Sequence, residues 1–253
     1  MFEAGRWSSV QTQALVVALA ALGSLVPAAA HAQGVEATRS VTVFIGTGLG
    51  LSGNVIVEAS GRVVGTPATF VEQAFSNHYS DGLRVRFSGA YGLDFNKEVF
   101  ATYAYGRLNG TERTVGSVGG FPMRARFATA RVTDLEGGLR YYFQPEGPTR
   151  VYANGTFGVR FLNQITTTLR IVDLGLTFAD LEYFDSSTLF IFGGDVGISR
   201  DVAEHVALGA EIGLRYQPKP TRAEIAIGTG VENINDTGNR WSLPLSVFAT
   251  WRF

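Results

Sequence analysis

The chain has 253 residues, of which 17% are charged and 12% aromatic, with 21 Lys and Arg against 22 Asp and Glu and no cysteine. A formal charge of -1 without any basic run excludes the electrostatic footprint of a nucleic-acid binder. The missing cysteine excludes disulfide frameworks, thiolate metal sites and cysteine nucleophiles.

The first element in chain order is ALVVALAALGSLV, Ala14 to Val26, followed by Pro27 and the small-residue triplet Ala30-His31-Ala32. That order predicts a secretory signal peptide over 1–32, cleaved to leave Gln33 first, although Glu3 offsets Arg6 in its leading region. The apolar core of about 13 residues is short of the roughly 20 a spanning helix needs. A short periplasmic segment, 33–39, is expected next. No later apolar run reaches the roughly 18 residues of a membrane helix.

From about residue 40 the apolar repeat is two, the period of a strand with two unlike faces. Eight such segments cover 40–52, 82–94, 99–108, 130–143, 150–162, 188–200, 205–216 and 241–253. Their connections alternate. FNKE, QPEGPT and DVAE are short, whereas 53–81, 109–129, 163–187 and 217–240 are long. An even strand count with short turns at one end and long loops at the other is the layout of an outer-membrane barrel. One row of each strand is apolar, such as Val206, Leu208, Ala210, Ile212 and Leu214, and the opposite row carries Glu211, Gly213 and Arg215. Two architectures fit such strands, a soluble ligand-binding barrel with the apolar row inside and a membrane barrel with it outside. Arg, Asp and Glu share the polar row with many glycines, which suits a crowded lumen, and large aromatics gather near strand ends as in interfacial girdles. The expectation is therefore an all-β, eight-stranded antiparallel transmembrane barrel over 40–253. The final run SVFATWRF is its closing strand, with Trp241, Trp251 and Phe253 as interface anchors. Pro244 fits only near the outer rim, because proline removes a ladder hydrogen bond.

SVFATWRF and the hairpin DLEGGLRYYFQPEGPTRVYANGTFGVRF (134–161) resemble the small outer-membrane β-barrel family of Gram-negative bacteria, which includes the opacity proteins and the barrel of outer membrane protein A. The resemblance implies a bacterial outer-membrane location, contact with outer-membrane lipid and lipopolysaccharide, and recognition of the C-terminal strand by the barrel-assembly machinery. It implies no cofactor or metal.

Three sets of residues are candidates for function. The polar row supplies Arg84, Arg86, Arg140, Arg160, Arg215 and Arg252 with Asp134, Glu136, Asp195 and Glu211, read as a lumen ionic network that plugs an interior side chains just fill, or else lines a narrow channel. The third long loop carries Leu169, Ile171, Leu174, Leu176, Phe178, Leu181 and Phe184, read as a contact surface for a host or neighbouring-cell ligand, or as strands five and six running on beyond the membrane to pack on other loops. His78-Tyr79-Ser80 resembles the His-x-Ser element of outer-membrane lipid A deacylases, but it precedes the second strand and no Glu follows at a comparable distance, so an exposed loop tip is expected there. In the same loop, Thr66-Pro67 before ATFVEQAF predicts a short helix. The expected function is a non-enzymatic surface protein, structural or adhesive through its four external loops. A small-solute channel is the alternative, and a lipid A hydrolase a distant one.

Overall fold

The computed structural model describes residues 39–253 apart from 81, 144 and 226, so the expected signal peptide lies outside the described residues. Eight long strands build a barrel: β1 (Arg39–Gly50), β2 (Arg84–Gly92), β3 (Lys97–Gly110), β4 (Ala130–Tyr142), β5 (Thr149–Leu162), β6 (Ser187–Ala203), β7 (Val206–Gln217) and β8 (Arg240–Arg252). Each pairs antiparallel with the next. The ring closes because β8 pairs back onto β1, from Ser40 opposite Arg252 to Gly50 opposite Ser242. Phe253 then exchanges both backbone hydrogen bonds with Arg39, at 3.0 and 3.2 Å. The C-terminal aromatic is held by the wall because an open sheet edge in hydrocarbon would leave amides and carbonyls unsatisfied.

The outer face of this ring is apolar and open. Phe190 is 78% exposed, Phe157 71% and Val247 62%, and Leu208, Ile212 and Leu214 share that face. Water would not tolerate so continuous a belt on a monomer, whereas acyl chains would. Trp241 packs with Phe192 and Tyr216 toward the outer end, and Tyr141 packs on Phe143 toward the short turns, so aromatics girdle both ends. The architecture is that of the small eight-stranded outer-membrane barrels.

Pro244 faces the interior opposite Gly48. On its other side the ladder between β7 and β8 skips from Ile212–Leu245 to Arg215–Ser242, so the missing amide falls where no rung is drawn.

The four long connections are not separate loops. A second antiparallel sheet stands on the outer end, in the order 176–184, 165–171, 121–127, 112–118, 66–70, 59–63 and 228–229. The hairpin 112–127 prolongs β3 and β4, and 165–184 prolongs β5 and β6. One apolar core fills this outer tier, with Phe70, Val115, Met123, Phe127, Ile165 and Tyr183 among its members and Ile225, Val231 and Ile234 from the fourth connection.

The helix expected after Thr66-Pro67 is not formed. Thr66–Phe70 is a strand paired with Ala59–Val63, and only Phe75–His78 makes a single helical turn. Alternation decides it, since Ala68 and Phe70 are buried while Pro67 and Thr69 face out, which a strand achieves and a helix would not. The reversal is at Val64 and Gly65, both with positive φ, 49° and 76°.

Candidate functional site

In the lumen, the residues of the polar row converge on one another. Arg215 grips Asp195 through two bonds of 2.8 Å and reaches Glu136 at 3.0 Å. Arg160 grips Asp134 at 2.7 and 2.8 Å, and Arg84 bridges Asp134 and Glu136. Arg86 bonds to Glu211, whose other oxygen accepts from the Tyr152 hydroxyl at 2.8 Å. Because Arg86 and Glu211 stand on β2 and β7, and Glu136 and Arg215 on β4 and β7, these bonds run across the lumen rather than along its wall. Each ion costs several kcal/mol to desolvate, and paired, multiply bonded geometry offsets that cost.

The network needed partners that the candidate set omitted. Arg140 pairs with Glu98 at 3.2 Å, directly opposite on β3, and the Tyr142 hydroxyl donates to the same carboxylate at 3.0 Å. Phe44, Tyr142, Tyr152 and Phe248 form a buried aromatic layer under the ions, and the Arg86 and Arg140 guanidiniums lie 4.1 and 4.6 Å over the Phe44 and Tyr152 rings. All of these occupy the polar row, so parity in the sequence was the signal that could have found them. The glycines of that row make room: a Cβ on Gly213 would collide with the Asp195 carboxylate, and one on Gly197 with the Tyr152 ring. Arg252 stands apart, bonded to Asp201 at the end with the short turns.

In the outer tier, the seven apolar residues of the third connection divide. Leu169, Ile171 and Phe184 are at most 2% exposed, and Phe178 and Leu181 pack against the same core. They are core and not contact surface, because 165–171 and 176–184 continue the wall and turn their apolar row inward. Only Leu174 and Leu176, at the tip, are open. The outward row is polar instead. Arg124 stands directly opposite Arg170, with Arg126 two residues along and Thr114, Thr168 and Thr177 around them. Glu112 is 3.7 Å from both Arg124 and Arg170, Asp180 borders the same pocket as Arg126 and Arg170, and Glu182 stands opposite Thr166, so the face mixes arginines and carboxylates.

The expected loop tip at His78 is corrected as well. His78 is fully buried, edge-on to Phe127 at 5.1 Å, because the Phe75–His78 turn is drawn under the outer sheet and Thr111 N–H donates to the His78 carbonyl at 2.7 Å. Burial lowers its pKa to about 4. Tyr183 and Asn235 tie three connections together: the Tyr183 hydroxyl is 2.8 and 3.0 Å from the Val55 and Ile234 carbonyls, and the Asn235 amide donates to the Tyr183 and Ala223 carbonyls.

No protein-family profile and no curated protein matches the chain. Among solved structures it is similar to Neisserial surface protein A, with 14% identity, a TM-score of 0.45, and 85% of this chain and 97% of that one covered. It is also similar to a major outer membrane protein from Thermus thermophilus, with 13% identity, a TM-score of 0.48 and coverages of 85% and 99%. The outer membrane protein OprG from Pseudomonas aeruginosa aligns with 10% identity, a TM-score of 0.43 and coverages of 85% and 95%. At such scores neither ligand nor activity passes from them to this chain.

Proposed function

We propose that this protein is a non-enzymatic surface protein of a bacterial outer membrane, in which the barrel is a closed anchor and the outer tier is a folded recognition module. The observation that carries the reading is the single sheet built from all four connections over one core. Loops that only closed hairpins would not need one. The ligand-facing surface is the outward polar row in which Arg124, Arg126 and Arg170 stand beside Glu112 and Asp180, which suits a charged, polar partner on a host or neighbouring cell. Lipid and lipopolysaccharide meet the apolar belt, and the assembly machinery reads β8.

The channel alternative requires water through a lumen that the Arg86–Glu211 and Glu136–Arg215 bridges cross. In planar bilayers the refolded protein is expected to show no sustained conductance steps, and regular steps would overturn the anchor reading. Cells displaying an Arg124→Glu, Arg126→Glu, Arg170→Glu variant are expected to bind partner cells several-fold less while the barrel keeps its heat-modifiable gel mobility. Unchanged binding would remove the recognition role from this face.

A further inference from the structure

Five lumen arginines meet five carboxylates: Arg84, Arg86, Arg140, Arg160 and Arg215 against Glu98, Asp134, Glu136, Asp195 and Glu211. Arg240, at the outer mouth, is a sixth cation outside this balance. It opens β8, is 7% exposed, and its guanidinium lies 4.0 Å from the Phe75 ring and 5.6 Å from the Phe184 ring. Aromatic faces satisfy the flat sides of a guanidinium but not the in-plane N–H bonds. Among the described residues no acceptor meets its Nε or Nη2, and both are sealed from solvent. Cation–π contact returns less than the desolvation of an unpaired buried ion costs, so the balance calls for a counter-charge.

Arg240 lines a cavity of about 110 Å³ between the barrel mouth and the outer tier. Arg84, Arg160 and Gln217 form its polar floor, and Phe75 and Leu108 belong to its apolar wall. The two arginines of the floor are already engaged with Asp134. On one side the wall is thin: pairing of β1 with β2 stops at Gly46–Arg84 while β1 runs on to Gly50, and Gly48 and Gly50 border the cavity. An engineered cavity of about 150 Å³ accepts benzene, so this one has room for about four to seven non-hydrogen atoms.

We propose that this cavity binds a small organic anion, a carboxylate on a short apolar body, with Arg240 as its counter-charge. Water alone would fill the volume but would leave the surplus cation uncompensated. The inference does not depend on the recognition role of the outer face.

Calorimetric titration of the refolded protein in a zwitterionic detergent tests it, with butyrate, its neutral counterpart butyramide and inorganic phosphate as probes. Saturable one-to-one binding of butyrate is expected, at least tenfold tighter than butyramide or phosphate, and weakened tenfold or more in an Arg240→Met variant whose gel mobility shows a folded barrel. Absence of butyrate binding, equal affinity for butyramide, or an unweakened variant would overturn the site. Phosphate binding as tight as butyrate would overturn its organic character. If Arg240→Met does not fold, the comparison of butyrate with butyramide on the unaltered protein decides alone.

Discussion

The membrane tier and the outer tier share one strand order and opposite polarity. Along β5, Val151, Phe157 and Phe161 occupy the odd row and face lipid. Beyond Asn163-Gln164 the odd row continues as Ile165, Leu169 and Ile171, but it now faces the core. The even row does the reverse, passing from Tyr152 and Arg160 in the lumen to Thr168 and Arg170 on the outside. The same exchange joins 121–127 to β4, where Met123, Ala125 and Phe127 are core and Leu139 and Tyr141 meet lipid. A constant period of two is thus compatible with both solvents, and the wall needs only a short irregular stretch to turn itself over where hydrocarbon gives way to water.

If the tiers are separate in this sense, they should fail separately. Glu136→Ala leaves Arg84 and Arg215 short of a shared carboxylate, and loss of one partner from a buried ionic cluster costs about 3–5 kcal/mol. Its effect is expected in the urea midpoint of the heat-modifiable barrel. Phe127→Ala opens a cavity in the outer core, also at about 3–5 kcal/mol, yet protease should cut 112–127 and 165–184 in that variant while barrel mobility stays put. Coincident loss of both signals in either variant would show one cooperative unit.

Mirror-image surface changes sharpen the contrast. Phe157→Arg puts a cation on the lipid face at mid-strand and is expected to lower barrel stability in vesicles by about 2–4 kcal/mol. Arg124→Leu on the outward row of the outer tier should stay within about 0.5 kcal/mol. Equal effects at the two positions would mean that the belt does not meet acyl chains.

The inversion also explains what could be read from the sequence. All eight barrel strands, their faces and the closing role of Trp251 and Phe253 follow from periodicity, connection length and the chemistry of a bilayer, which act on every residue alike. The roles of Leu169, Ile171 and Phe184 do not, because parity says which residues share a face and not which solvent that face meets. His78 and the 66–70 strand escaped for a related reason. Their burial comes from the second connection, through Phe127 and Thr111 at His78 and strand 112–118 beside 66–70, so no local pattern around Pro67 or Tyr79 reports it. Glu98 was legible in parity but sits at a strand end, where alternation is shortest.

Acid should separate the tiers more gently. His78 titrates near 4 when folded and near 6.5 when unfolded, so the unfolded chain binds the extra proton between these values. Above about pH 6.5 both states are neutral and the full stability is present. It falls as pH drops toward 4, by at most about 3 kcal/mol. Hydrogen-exchange protection of the outer tier, taken relative to the intrinsic exchange rate at each pH, is expected to fall over that window, and a His78→Phe variant to lose the dependence. A fall that persists in the variant would assign the effect to carboxylates instead.

The smallest effect expected is a gain. The 59–70 hairpin turns through Val64 and Gly65, and a two-residue reversal of that hand asks for positive φ at both. Gly65 complies freely, but at φ 49° the branched Val64 crowds its own backbone, a conformation costing roughly 1–2 kcal/mol for an ordinary side chain. Val64 is 72% exposed, so replacing it sacrifices little packing. Asn tolerates the left-handed region, and Val64→Asn should therefore stabilise the outer tier by about 0.5–1 kcal/mol without moving the barrel midpoint. The readout is the protease resistance of 59–70. An unchanged cleavage rate would mean that this hairpin stays closed while the tier opens elsewhere, and would place the weak edge at the other end of the sheet, along 176–184.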